Sequence, residues 1–314
     1  MNNPSAAPLL VPRVFRFDDI DRFRSSIRNL NVDFTPLARK ISAEQVIVSL
    51  PECDLNVTQS FPRIVDAQFA PGTTVIGFTM DDGVPIRFNG AERDRAVIVL
   101  GSGGAFYTTV EKTPRQYVSI VFTPEILDRG WPSSAVKFSI YEISQPAQDR
   151  LRAVVRQALL VASQPEAAVD VVAVGIAIRE SLLEAIDQAF VEMVPAKWAT
   201  RVNLTRQFKV FNDARAVLAG NVAHPIYSGE LARQIGVSVR TLHDAIQRYR
   251  GMSLHRYLRL RRLWLVRQHL LTGAHSVKAA ALAYGFWHLS DFSRSYRSQF
   301  GEAPSETLAA SRAH

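Results

Sequence analysis

Cysteine occurs once in the 314 residues, at Cys53. A lone cysteine excludes an internal disulfide and a cysteine-built zinc site, and fits a reducing compartment. Histidine is missing from the first 223 residues, because all seven lie at position 224 or later. That stretch offers no imidazole general base and no imidazole metal ligand. No apolar run approaches the roughly 20 residues needed to span a bilayer. The longest, Val171 to Ile178, is interrupted by Gly175. The opening MNNPSAAPLLVPR lacks a basic start followed by an apolar core. No signal peptide is therefore expected, and the cytoplasm is the expected compartment. These absences argue against a metal-dependent hydrolase or oxygenase in the N-terminal part. Carboxylate or lysine chemistry stays open there, and no catalytic residue, metal or cofactor is assigned.

What is present is unevenly spread. The net charge is +8, from 37 Lys and Arg against 29 Asp and Glu. Residues 202–314 hold 16 basic and 6 acidic residues, a balance of +10, and residues 1–201 balance at −2. A basic module joined to a neutral one is the electrostatic footprint of nucleic-acid binding. At roughly 150 residues per domain, the length suggests two domains.

The first half carries short, β-branched apolar runs: Val46–Leu50, Ile64–Phe69, Thr74–Thr79, Ile86–Phe88, Ala96–Leu100, Phe106–Val110 and Tyr117–Phe122. Turn formers such as Ala70-Pro71-Gly72 and Asn89-Gly90 separate them. Many short strands at even spacing predict a sandwich or barrel. The cluster Gly101-Ser-Gly-Gly104 has no following Gly-Lys-Ser/Thr, so it reads as a turn and not a phosphate loop. Near Ser144 the period changes to that of helices. Leu151, Val154, Val155, Ala158, Leu159 and Ala162 mark one helix, and a second stretch runs from about Glu166 to Met193. Its long apolar stripe suits packing on its own domain or pairing with a second copy. Val194 to Thr200 reads as a linker.

From residue 202 on, short helices dominate. Thr205–Ala219 is amphipathic and stops at Gly220. Then Ser228–Ile235, the turn Gly236-Val237-Ser238, and Val239–Tyr249 form a helix-turn-helix pattern. Ala232 permits close helix approach, Gly236 relieves the turn, and Ser238 is placed to cap the second helix. Val239, Leu242, Ile246 and Tyr249 are expected to be buried. Arg240, His243, Asp244 and Gln247 fall on the opposite face, where long polar side chains suit a major groove. The same grammar returns with Ser276–Tyr284, the turn Gly285-Phe286-Trp287-His288, and Leu289–Phe300. There Phe292, Tyr296 and Phe300 form the buried stripe, and Ser290, Ser293, Arg294 and Arg297 face outward. Leu254–Leu271 joins the units as a helix of roughly 27 Å. That separation suits successive turns of one groove, roughly 34 Å apart.

With its two units and joining helix, this region resembles the DNA-binding domain of AraC/XylS-type bacterial transcription regulators. The matching stretches are Leu231-Ala232…Gly236-Val-Ser238…Leu242, Gly251-Met-Ser253…Tyr257-Leu258-Arg259…Arg262-Leu263, Val277…Ala280…Ala283…Gly285-Phe286, and Phe292-Ser-Arg294…Phe300-Gly301…Pro304-Ser305. The wording Gly285-Phe-Trp-His-Leu289 is similar to regulators of the ethanolamine-operon type. The resemblance implies base contacts from Arg240, His243 and Asp244 in the first unit. In the second it implies Leu289, Ser290, Ser293 and Arg294. Ser238, Thr241, Gln247 and Arg297 are the expected backbone contacts. Asp244 stands where the family often has a basic residue; it either accepts from cytosine N4 or pairs with Arg240 or Arg248, each four residues away, and the ion pair is the favoured expectation. Leu289 is limited to packing or to a thymine methyl. Thr307-Leu308 replaces the Tyr-Arg common at the family's end, which puts the packing of the tail in question. Trp264 and Trp287 read as core or domain-contact residues.

The N-terminal resemblance, carried by Ala96–Phe106 and Tyr117–Pro124, is looser. It implies a β-barrel sensor, cupin-like, followed by dimerising helices. Phe69, Phe78, Phe88, Phe106 and Tyr107 are candidates to line a pocket, and Arg87, Arg93 and Arg115 to hold an anion. The effector itself is unknown.

The expected architecture is thus α+β in two domains. Residues 1–195 form a sensor and dimerisation domain, with a barrel over about 40–140 and helices over about 146–193. A linker occupies 196–201. Residues 202–314 form an all-α DNA-binding domain with helix-turn-helix units at about 228–249 and 276–300. The expected function is effector-responsive transcriptional regulation, more in keeping with activation. Double-stranded DNA, a small molecule, a second copy of the chain and RNA polymerase are its candidate partners. The alternatives are a cupin-like enzyme fused to a DNA-binding domain and a ligand-independent DNA-binding protein.

Overall fold

A computed structural model describes residues 10–81, 83, 85–93, 96–132, 138–164, 170–193, 201–221 and 226–312. The expected linker, apart from Arg201, lies outside these residues. The architecture is a sheet-rich N-terminal part followed by a helical C-terminal domain.

The strands are β1 (Arg13–Phe17), β2 (Leu30–Pro36), β3 (Ala43–Leu50), β4 (Cys53–Ser60), β5 (Arg63–Phe69), β6 (Thr74–Thr79), β7 (Ile86–Phe88), β8 (Ala91–Arg93), β9 (Val97–Ser102), β10 (Phe106–Glu111), β11 (Arg115–Phe122) and β12 (Phe138–Glu142). A short helix α1 (Ile20–Ser26) separates β1 from β2. The strands make a seven-stranded sheet, ordered β1-β3-β4-β11-β6-β9-β12, and a five-stranded sheet, ordered β2-β5-β10-β7-β8. The expected closed barrel is therefore corrected to two open sheets. Each sheet ends on its own edge strands: β1 pairs only with β3 and β12 only with β9 among the described residues. The sheet-rich part also starts at Arg13, well before residue 40. Asn89 and Gly90, both at positive φ, make the tight turn from β7 to β8.

Alternation along the strands assigns each face a partner. In β11, Val118, Ile120 and Phe122 point to one side and join a core with α2 (Gln145–Ser163) and α3 (Val171–Val191). Leu151, Val155, Leu182 and Ile186 are the helical side of that core. Ser144 caps α2 by accepting from the Ala147 amide, and Asp170 caps α3. The two sheets face each other across a cavity of about 120 Å³, lined from both sides. Cys53 is buried, and burial pushes its thiol up to about 12, so it is a packing residue and not a nucleophile.

The helical domain comprises α4 (Arg201–Gly220), α5 (Ser228–Gln234), α6 (Val239–Arg250), α7 (Leu254–Leu271), α8 (Val277–Ala283), α9 (Leu289–Phe300) and α10 (Pro304–Arg312). It has two cores. Phe211, Leu231, Leu242, Ile246 and Tyr249 belong to the first, and Phe286, Phe292, Tyr296, Phe300 and Leu308 to the second. Helix α7 contributes Leu254, Tyr257 and Leu258 to the first and Leu263, Val266 and Leu270 to the second. Among the described residues, no helix is long and apolar enough to cross a membrane.

The packing between the sheets is tight at Gly101. A Cβ there would sit 2.3 Å from the ring of Phe69, which is buried against Tyr107 and Phe138. Gly101→Ala is expected to destabilise the protein by about 1–3 kcal/mol through overpacking. A lowered denaturant midpoint with unchanged slope is the reading that checks it.

Candidate nucleic-acid interface

The first unit is built from α5, a glycine turn and α6. Gly236 takes φ +70, the left-handed conformation the turn requires. Ser238 Oγ accepts from the Thr241 amide at 3.1 Å, which caps α6 and anchors the helix start. Leu242, Ala245, Ile246 and Tyr249 are buried, as are Leu231 and Ala232 beneath them. Arg240, His243, Asp244 and Gln247 are exposed along the opposite face. Val239 departs from expectation: it is 46% exposed, so it belongs to the outer surface at the helix start.

The ion pair expected for Asp244 is not formed. His243 Nδ1 lies 3.7 Å from its carboxylate, a charged pair only when the imidazole is protonated. Arg248 instead donates to Gln207 Oε1 at 3.2 Å, because α4 packs along that side of α6. Asp244 is thus held among exposed groups on the outer face of α6. Thr241 and Ser238 share a hydroxyl–hydroxyl bond of 2.9 Å at the same helix start.

The second unit repeats the geometry with α8 and α9. Ser276 caps α8, and Gly285 takes φ +76 in the turn. Phe292, Tyr296 and Phe300 are buried in a stack of rings 4.5–5.6 Å apart. Ser290, Ser293, Arg294 and Arg297 are exposed. Arg294 lies 3.6 Å from Asp291 with both side chains solvated, a pair worth little and easily exchanged for another anion. Leu289 is half-buried against the second core, so packing is its role in this structure.

The tryptophans separate. Trp264 Nε1 donates to the Pro36 carbonyl at 3.1 Å, and its ring meets Phe300 edge-on, so it is a domain-contact residue as expected. Trp287 is 68% exposed in the turn that opens α9, which corrects its expected burial. A large aromatic beside the first residues of α9 adds apolar surface to the same face. Its position one residue before the α9 cap, between Phe286 in the core and exposed His288, is the sequence signal for this.

The tail packs without the family's usual pair. Thr307 is buried and bonds to the Tyr296 hydroxyl at 2.9 Å and to Glu302 at 2.7 Å. Arg267 meets the same Glu302 at 2.5 Å, and Leu308 enters the second core. These contacts tie α10 to α7 and α9.

The candidate pocket residues also sort by strand face. Phe69, Phe78, Phe88, Tyr107 and Arg115 line the cavity between the sheets, together with the buried pair Arg63–Glu111 at 3.2 Å. Burial pushes the Tyr107 hydroxyl up, so it stays a neutral phenol. Phe106 points the other way, toward Phe208 and the Arg215 guanidinium. Arg87 donates to the Arg248 carbonyl and pairs with Glu92, and Arg93 pairs with Glu142.

Residues 231–310 match the model of a helix-turn-helix domain family. The chain is 39% identical over 92 residues to the XylDLEGF operon transcriptional activator 2 of Pseudomonas putida, covering 28% of this chain and 59% of that protein. It is 34% identical over 87 residues to the HTH-type transcriptional activator RhaS of Pectobacterium atrosepticum, covering 28% and 31% of the two chains. Among solved structures, it is 34% identical to a probable AraC family transcriptional regulator from Rhodopseudomonas palustris, covering 33% of this chain and 97% of that one, with a TM-score of 0.30. The chain therefore spans 59% or less of the length of the two named activators.

The Thr307 bonds predict the effect of their loss. Thr307→Val keeps the volume but leaves the Tyr296 hydroxyl without this partner in a dry site. A destabilisation of about 1–3 kcal/mol is expected, read as a lowered melting temperature.

Proposed function

We propose that this chain, whose C-terminal region belongs to the AraC-type helix-turn-helix family, is a sequence-specific regulator that binds double-stranded DNA. One observation carries the reading: two helices with exposed polar faces, α6 and α9, are fixed to one α7 within the part of the chain that holds the +10 charge. Arg240, His243, Asp244, Ser290, Ser293 and Arg294 are the base-reading residues of this proposal. Ser238, Thr241, Gln247 and Arg297 meet the backbone. The relatives named as activators favour activation, with RNA polymerase as the further partner. Such a regulator works in the cytoplasm, where the chromosome lies.

The two sheets form the sensor of this proposal. Their cavity is lined mostly by aromatic and apolar side chains, with Arg63, Glu111 and Arg115 as its charged part. It suits a small, largely apolar effector carrying one polar group. Val171, Val172 and Ile176 stay exposed at the start of α3 and supply an apolar patch for a second copy of the chain.

Three experiments test the proposal. The full chain should shift DNA from its own upstream region with an affinity that falls steeply as salt rises. Arg294→Ala should cost about 1–3 kcal/mol on that DNA and relax base preference. Equal weakening on random DNA would reduce Arg294 to a phosphate contact, and no salt-sensitive, sequence-preferring shift would remove the regulator reading. For the dimer, Ile176→Glu should lower the mass of the full chain in light scattering from two copies to one. An unchanged mass would place the contact elsewhere.

A further inference from the structure

The five-stranded sheet has a different occupant on each face. On β5, Arg63 and Val65 line the cavity, while Ile64 and Asp66 point to the DNA-binding helices. On β10, Tyr107, Thr109 and Glu111 line the cavity, while Phe106, Thr108 and Val110 point outward. The two strands pair with Thr108 opposite Asp66 and Thr109 opposite Val65. One residue step, about 3.3 Å, therefore separates a cavity contact from a contact with the reader.

The outer face seats the last turn of α6. Arg250, the final residue of that helix, is fully buried. Its guanidinium donates to Asp66 Oδ2 at 2.5 Å and to Thr108 Oγ1 at 2.5 Å, so it grips the opposed pair on both strands. It lies over the rings of Phe211 and Tyr257, at 4.6 and 5.0 Å, and reaches the Tyr257 hydroxyl at 3.4 Å. Arg87, on the strand next to β10, donates to the Arg248 carbonyl at 2.9 Å. The same helix displays Gln247, Asp244, His243 and Arg240 on its exposed face, so the anchor and the reading residues move as one rigid rod.

We propose that Arg250 is a positioning residue that passes changes in the cavity to the first reading helix. A molecule that repacks the inner faces of β5 and β10 must shift or twist that strand pair. The outer residues of the same pair, Asp66 and Thr108, carry the shift to Arg250 and so to α6. Arg250 is not part of the lining of the cavity between the sheets, and it acts through what it holds. The proposal rests on the DNA-binding reading above only for its consequence, because the mechanical link is within the chain.

Hydrogen–deuterium exchange on the full chain tests it without a known effector. Val65→Leu adds one methylene on the cavity face of β5. It is expected to change exchange in the last turn of α6 by about threefold or more, the scale of coupling between interacting sites. In an Asp66→Asn background, and separately in Thr108→Val, that change should vanish. Arg250→Lys, which keeps the charge but not the fork, should retain part of it. Asp66→Asn unpairs a buried charge and is the costlier seat variant, Thr108→Val leaves the ion pair in place, and a cooperative melt shows that each is folded. If Val65→Leu alters only β5 and β10, or alters α6 equally in every background, the proposal is overturned. If the coupling is present but the chain binds no DNA, the regulator reading fails and the link stands.

Discussion

The structure turns on the period-two alternation of two adjacent strands. β5 and β10 are buried on both faces, and each face has a different client: a cavity inside, a helix outside. This constraint explains an otherwise costly choice, a fully buried arginine. Taking a guanidinium and a carboxylate out of water is expensive, and the pair is tolerated only where the geometry is good and further hydrogen bonds are present. Arg250 has both, with Asp66, Thr108, Tyr257 and two ring faces around it. Removing one partner of such a pair costs about 3–5 kcal/mol, far more than the net worth of keeping it. The pair thus contributes definition more than stability: it fixes which turn of α6 meets which pair of strand residues.

A second buried pair follows the same logic on the inner face. Arg63 and Glu111 sit on the same two strands, and Arg63 lies over the ring of Phe34 at 4.5 Å. β5 thus carries charge to both of its faces, Arg63 inside and Asp66 outside, and β10 carries the Glu111 carboxylate inside and the neutral Thr108 hydroxyl outside. The sheet is a partition with polar fittings on either side of an apolar body.

The helical domain was the legible part of the sequence, because apolar residues at helical spacing, serine caps and glycine stops all agree there. Ser238, Gly236, Ser276 and Gly285 fall where the turns need them. Strands such as β4 were not legible. Asp54, Asn56 and Thr58 alternate with Leu55 and Val57, so β4 has no contiguous apolar run and only its period of two marks it as a strand. Sheet closure is likewise a property of edges and pairing order, which no local pattern encodes. The Asp244 pairing failed because a helix-face rule ignores neighbours: α4 draws Arg248 aside. Arg250 had a signal, since it stands four residues after Ile246 on the buried stripe. Its partner Asp66 lies 184 residues earlier, beyond any local reading.

Helix α7 belongs to both cores of the helical domain, and this gives α6 and α9 a fixed phase as well as a fixed distance. Each residue of an α-helix advances 1.5 Å and turns 100°. One residue inserted between Leu258 and Leu263 would leave the spacing of the reading helices almost unchanged but swing α9 a quarter-turn or more away from the side of α7 that α6 occupies. The duplex sets a matching phase through its own helical repeat. The length of α7 is therefore tuned in units of angle, and its middle tolerates substitution far better than insertion or deletion.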